Sequence, residues 1–156
     1  MSSQRNTILE YLVDTLFPTI TTGNSYNFTV ATKERGLKSY QNMSDSEFPA
    51  LFVASADEDR KNISNRRFQS TMNVFIYGFV KADTSQNVQE ELDKLIEDLT
   101  KALYAGQTPG AYDPTHAGKV TWTEILEIIT DEGDEEPHAA FKMKVEFRYE
   151  KPGNAP

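Results

Sequence analysis

The segment spanning residues 68–82 constrains this chain more than any other. Met72, Val74, Ile76 and Val80 alternate with Phe75, Tyr77 and Phe79. A strand here is therefore apolar on both faces. A sheet that leaves one face to water carries polar residues on that side, so this strand needs cover on both. One layer of cover follows directly. Val88, Leu92, Leu95, Ile96, Leu99 and Leu103 recur at helical spacing and make a single apolar stripe. Asp83, Thr84, Ser85 and Asn87 are candidate N-caps for that helix, and Gly106 is placed to end it.

The other elements follow from the same periodicities. Thr7 and Glu10 have capping-box spacing ahead of Ile8, Leu9, Leu12, Val13 and Leu16, a first helix that Pro18 is expected to stop. Tyr26, Phe28 and Val30 alternate with Asn27 and Thr29 as in a half-buried strand. Residues 32–47 show no clean period and read as a loop with room for a short helix. Residues 48–53 form a compact apolar strand whose Pro49 belongs at its start or on an edge.

Residues 120–130 fit a helix face through Trp122, Ile125, Leu126 and Ile129, yet their Val, Thr and Ile content favours a strand. As a strand they repeat the two-faced pattern, with Ile125 and Ile129 opposite Leu126 and Ile128. In the last strand Phe141, Met143, Val145, Phe147 and Tyr149 oppose Lys142, Lys144, Glu146 and Arg148. The order predicts an α+β fold, a mainly antiparallel sheet with two principal helices on one face. Residues 1–150 read as one domain and 151–156 as a flexible C-terminal tail. The second sheet face is left to the 32–47 segment or to another subunit, since large exposed apolar patches mark interfaces.

Composition narrows the chemistry. The 156 residues include no Cys and only His116 and His138, which removes disulfides, thiolate nucleophiles and multi-histidine metal sites. No G-x-S-x-G elbow, P-loop or G-x-G-x-x-G is present. His116, in a Pro/Gly loop, and His138, after an acidic turn, read as exposed loop histidines. The clusters Asp57-Glu58-Asp59 and Asp131 to Glu136 are rich in oxygen ligands, but the second does not follow an EF-hand pattern, and a solvated acidic turn describes it better. No catalytic residue, metal or cofactor is expected.

The formal charge of −8 argues against a general grip on nucleic acid or an anionic membrane. Arg5, Glu10 and Asp14 interrupt any leader-like apolar stretch, and the apolar run of residues 74–80 is far short of a membrane span. An intracellular site of synthesis is expected. The local basic stretch, Arg60, Lys61, Arg66 and Arg67, lies beside Asp57, Glu58 and Asp59 and reads as a mixed-charge protruding hairpin or loop.

Taken together, the helix ending Leu16-Phe17-Pro18, the strand Phe48-Pro49-Ala50-Leu51-Phe52-Val53, the charged loop feeding the strand of residues 70–80, the helix carrying Leu92-Asp93-Lys94-Leu95-Ile96-Glu97-Asp98-Leu99, the segment of residues 120–129 and the alternating strand of residues 140–149 resemble the tail terminators of tailed bacteriophages, a family similar to the minor tail protein U. The likeness runs from about Ile8 to Glu150. It implies a virion structural protein without enzymatic activity, assembled as a hexameric ring that caps the tail tube, ends its polymerisation and offers a surface to the head or neck. The implied partners are further copies of the chain, the tube protein and a neck or head-completion protein. No membrane is implied, and DNA only passes through the lumen. The implied setting is the host cytoplasm during assembly and then the tail of the virion.

On this reading Phe75, Tyr77 and Phe79, with Asp57, Asp59, Arg60, Lys61, Arg66 and Arg67, are candidates for the subunit or tube interface. Two alternatives stay open: another neck component, such as a tail-completion or head–tail joining protein, and a small hydrolase or ligand-binding domain using His116 or His138.

Overall fold

A short N-terminal helix, a long hairpin and an amphipathic second helix dominate the computed structural model, which describes residues 4–37, 42–64, 67–82, 87–131 and 137–152. Helix α1 spans Gln4–Tyr11 and runs on as a π-helical turn over Leu12–Leu16. Strand β1 is Thr32–Arg35, β2 Ala50–Ser64, β3 Arg67–Lys81, α2 Val88–Ala105, β4 Trp122–Thr130 and β5 His138–Pro152. The sheet order is β1-β2-β3-β5-β4, with β1 parallel to β2 and every other pair antiparallel. This is the α+β arrangement expected from the sequence.

Both helices lie on one face. Ile8, Leu12 and Leu16 of the first helical stretch and Leu92, Leu95 and Leu99 of α2 share a core with Val74, Ile76, Met143, Val145 and Phe147. Of the candidate caps, Asn87 holds the N-terminus of α2: its Oδ1 accepts the N–H groups of Gln89 and Glu90 at 2.9 and 3.3 Å. Asp83, Thr84 and Ser85 lie outside the described residues. Gly106 follows the helix with φ +70°, a conformation that favours glycine.

Several expectations give way to specific contacts. Residues 26–30 are not a strand, although Tyr26 and Val30 are buried and Asn27 and Thr29 exposed as the alternation predicts. Their backbone bonds to a helix instead: the N–H groups of Asn27 and Phe28 donate to Asp98 of α2 at 2.8 and 2.9 Å. The edge strand lies farther on, at β1, inside the stretch expected to be a loop. The Ala31 N–H donates to the Pro49 carbonyl at 2.9 Å, which aligns the two segments where the parallel pairing starts. The first helix does not break before Pro18. Phe17 keeps right-handed helical angles, and a 3-10 turn carries the chain through Thr19. At the other end β5 runs through Pro152, paired with Arg67, so sheet pairing reaches into the stretch expected as a tail.

The two-faced alternation assigned to residues 125–129 is broken by a bulge. Ile125 pairs with Val145, but Glu127 pairs with Lys144, leaving Leu126 as the extra residue. A one-residue insertion reverses facing beyond it. Ile125 therefore packs toward the helices, whereas Glu127 and Ile129 belong to the opposite face.

Candidate functional site

Each strand residue opposite the helices is placed by register. Across β2, β3, β5 and β4 one row reads Phe52, Tyr77, Lys142, Ile129, and the next reads Ala54, Phe75, Lys144, Glu127. The face divides into two regions. At one end Met43 and Phe48, from the segment before β2, pack with Ala50, Phe52 and Phe79 in a second small core. Phe79 is thereby buried within its own chain. Met43 thus supplies part of the intramolecular cover that the 32–47 segment was expected to offer, together with Phe48 just beyond that segment.

At the other end the cover is cationic. The Lys142 ammonium lies 4.1 Å from the centre of the Phe75 ring and 5.9 Å from that of Tyr77. Phe75 and Tyr77 are half-buried rather than bare: the Lys142 ammonium lies over both rings, and Tyr77 also packs against the small core of Met43, Phe52 and Phe79. Phe75, Ile129, Lys142, Lys144 and Glu127 line a shallow depression of about 150 Å³. Beside it, on β4, Leu126, Ile128 and Ile129 are exposed, as is Trp122.

The charged candidates lie on the hairpin of β2 and β3. A bulge between Ser55 and Glu58 shifts the register so that Glu58 faces Met72 and Asp59 faces Thr71. Glu58 thus turns to the helix side, where the Tyr149 hydroxyl donates to its carboxylate and the Arg60 Nε pairs with it at 3.4 Å. Asp57 stays on the open side, accepting from the Asn73 amide at 2.5 Å. Asp57, Asp59, Arg60 and Lys61 are exposed. Arg66 lies outside the described residues, and Arg67 opens β3 opposite Pro152. The structure therefore places Phe75 and Tyr77 at one centre and the hairpin charges at another. Lys142, Lys144 and Ile129 were not among the candidates. Their alternation was legible, but not which aromatic row they would face.

The histidines do not form a reactive pair. His116, expected to be exposed, is 1 % exposed. Its Nδ1 lies 2.7 Å from the Tyr11 hydroxyl and its ring meets Phe147 edge-on. Burial pushes its pKa down, opposed by the Asp113 carboxylate and the Leu103 backbone. Burial likewise pushes the Tyr11 hydroxyl well above its ordinary value. Local bonds aim the side chain: Asp113 accepts from the Thr115 hydroxyl and the Ala117 N–H, winding the loop so that His116 turns inward with φ +51°, where Tyr11 and Phe147 from distant elements enclose it. His138 sits at the start of β5, its ring against Phe48.

Two clefts of about 500 Å³ flank α2. One is lined by residues including Tyr26, Lys101 and Tyr104, the other by residues including Phe28, Phe48, Asp45 and Glu91. Neither includes a histidine. Among the described residues no group of three or more His, Asp or Glu side chains is placed to hold a metal ion, and no helix is long and apolar enough to cross a membrane.

No individual curated protein matches the chain. A sequence model described as the bacteriophage tail tube terminator protein does, over residues 2–155. That family is one of structural tail proteins that associate with the tail tube. With nearly the whole chain matched, the protein belongs to the bacteriophage tail tube terminator family.

Proposed function

We propose that this protein caps the phage tail tube as a homo-oligomeric, hexameric ring, stops further addition of tube subunits, and presents its far side to a neck or head-completion protein. DNA passes through the ring lumen and is not gripped. The protein acts in the host cytoplasm during assembly and stays in the virion tail. It carries no enzymatic activity. The observation that carries this reading is the asymmetry of the sheet. Its helix face buries the main core, while its other face offers the Phe75, Tyr77 and Lys142 row beside the exposed Ile129 of β4. Surface of that kind suits contact with other protein subunits. The burial of His116 against Tyr11 favours a packing role over acid–base catalysis.

The test is to add the purified protein to polymerising tube protein and measure tube lengths by negative-stain imaging. The expected result is ring-shaped density at one tube end and arrested growth. Tubes that grow unchanged, or protein bound only at the portal side of the neck, would overturn the terminator role.

A further inference from the structure

The loop that joins α2 to β4 carries a glycine in left-handed backbone at each end, Gly106 with φ +70° and Gly118 with φ +85°. Between them, Gly110 and Ala111 form one wall of the cleft of about 500 Å³ whose other side carries Tyr26, Lys101 and Tyr104. Tyr112 beside that wall is 71 % exposed. Three contacts tie this stretch down. The Asp113 N–H donates to the Tyr104 carbonyl of α2 at 2.6 Å. The Thr123 hydroxyl of β4 donates to the Pro114 carbonyl at 2.6 Å. The third is the buried His116 ring between Tyr11 and Phe147.

Only this third contact depends on a proton. The His116 Nε2 is buried with no hydrogen-bond partner among the described residues. A charged ring there is cut off from water. Asp113, on the loop itself, and the Leu103 backbone of α2 favour the charged ring, but burial outweighs both. Phe147 of β5 brings no charge. On the first helical stretch Glu10 and Asp14 line a surface depression with Tyr11 and Lys119, and the Lys119 ammonium stands 5.4 Å from the centre of the Tyr11 ring. The backbone is also under tension: His116 at φ +51° and Ala117 at φ +59° are successive left-handed residues that are not glycine. Surrounding contacts must hold such a pair in place.

We propose that residues 107–117 are a lid on the Tyr26–Tyr104 cleft, hinged at Gly106 and Gly118, latched shut by the neutral His116 ring and released when that ring takes up a proton. Hinges of this kind are a few loop positions that absorb the change in backbone angle. The bonds of Asp113 to Thr115 and Ala117 lie within the lid and keep its shape as it moves. Opening breaks the Asp113–Tyr104 and Thr123–Pro114 bonds and brings His116 into water. The sheet is left intact, because β4 starts at Trp122. In the open lid the ring titrates at its ordinary value, so opening becomes easier as pH falls below about 6.5. Each further pH unit adds up to about tenfold, or about 30-fold between pH 7.5 and pH 5. Nothing in this device depends on ring formation.

Hydrogen exchange, corrected for the intrinsic pH dependence of amides, reads such an opening directly. The reporters are the Asp113 N–H, bonded to α2, and the Val120 N–H, bonded across the Gly118 hinge to the Thr115 carbonyl. Both should exchange up to about 30-fold faster at pH 5 than at pH 7.5, while amides of β3 and β5 keep their protection. His138→Asn should leave that response intact, and His116→Asn should abolish it. Circular dichroism melts show whether each variant folds. If His116→Asn does not, the wild-type ring decides: with only two histidines in the chain, NMR follows His116 itself, which should titrate below about 6.5. A ring that titrates at or above that value overturns the latch. So do lid amides that ignore pH, a response that survives in a folded His116→Asn, and sheet amides that quicken in step with the lid.

Discussion

The Tyr11 hydroxyl lies 2.7 Å from Nδ1 of His116, linking the first helix to the turn that precedes β4. Because burial lowers the His116 pKa, the folded protein holds the ring neutral where the unfolded chain would protonate it. The unfolded state then binds more protons as pH drops below about 6.5. The stability from this residue is therefore present above that pH and is lost as pH falls toward the lower folded value. Urea titrations from pH 7.5 to 5 should show the decline. His116→Asn, whose shorter side chain tolerates the left-handed backbone angle, should flatten that slope while lowering stability at pH 7.5.

Tyr11→Phe tests the same bond without touching the titrating ring. It leaves the His116 Nδ1 without its partner in a buried site, at an expected cost of about 1–3 kcal/mol. Chemical denaturation at pH 7.5 measures it, and an unchanged midpoint would show that the contact is not stabilising.

Asp98 is a buried carboxylate whose two oxygens accept the N–H groups of Asn27 and Phe28. Desolvation raises its pKa, and those two donors pull it back down. Asp98→Ala removes both acceptors and should cost about 2–3 kcal/mol. Hydrogen exchange should then quicken at Asn27 and Phe28 ahead of the sheet amides.

Gly78 pairs with Phe141 across β3 and β5, and a Cβ at that position would stand 2.1 Å from the Phe141 ring. The ring is buried in the main core, so it has little room to withdraw. Gly78→Ala should destabilise by about 1–3 kcal/mol through overpacking. Gly78→Ala with Phe141→Leu should recover part of that loss, as read from thermal melts of the single and double variants.

Leu95 and Leu99 are both fully buried on the inner face of α2. Either leucine replaced by alanine should cost about 2–5 kcal/mol. A loss below about 1 kcal/mol at either position, measured by denaturant unfolding, would mean that the helix packs less tightly than described.

Periodicity alone determined much of the architecture. The apolar stripe from Val88 to Leu103 and the alternation from Phe141 to Tyr149 specify an element and its buried face together, because side-chain direction repeats every 3.6 or 2 residues. The two-sided apolar pattern of residues 72–80 likewise required cover on both faces. Only the tertiary structure decided what supplied it. Met43 and Phe48 close one end of the second face and Lys142 lies over the other, contacts that depend on register between distant strands. The bulges after Ser55 and after Ile125 reverse facing without any local signature in these residues. Asp98 diverted residues 26–30 from strand pairing because a buried carboxylate satisfies backbone donors as a neighbouring strand would. His116, in a loop of Pro and Gly, was drawn inside by the hydrogen bonds of Asp113. Local sequence governs which way a side chain points within its element, whereas burial of a loop residue and the identity of its partner depend on elements far away in the chain.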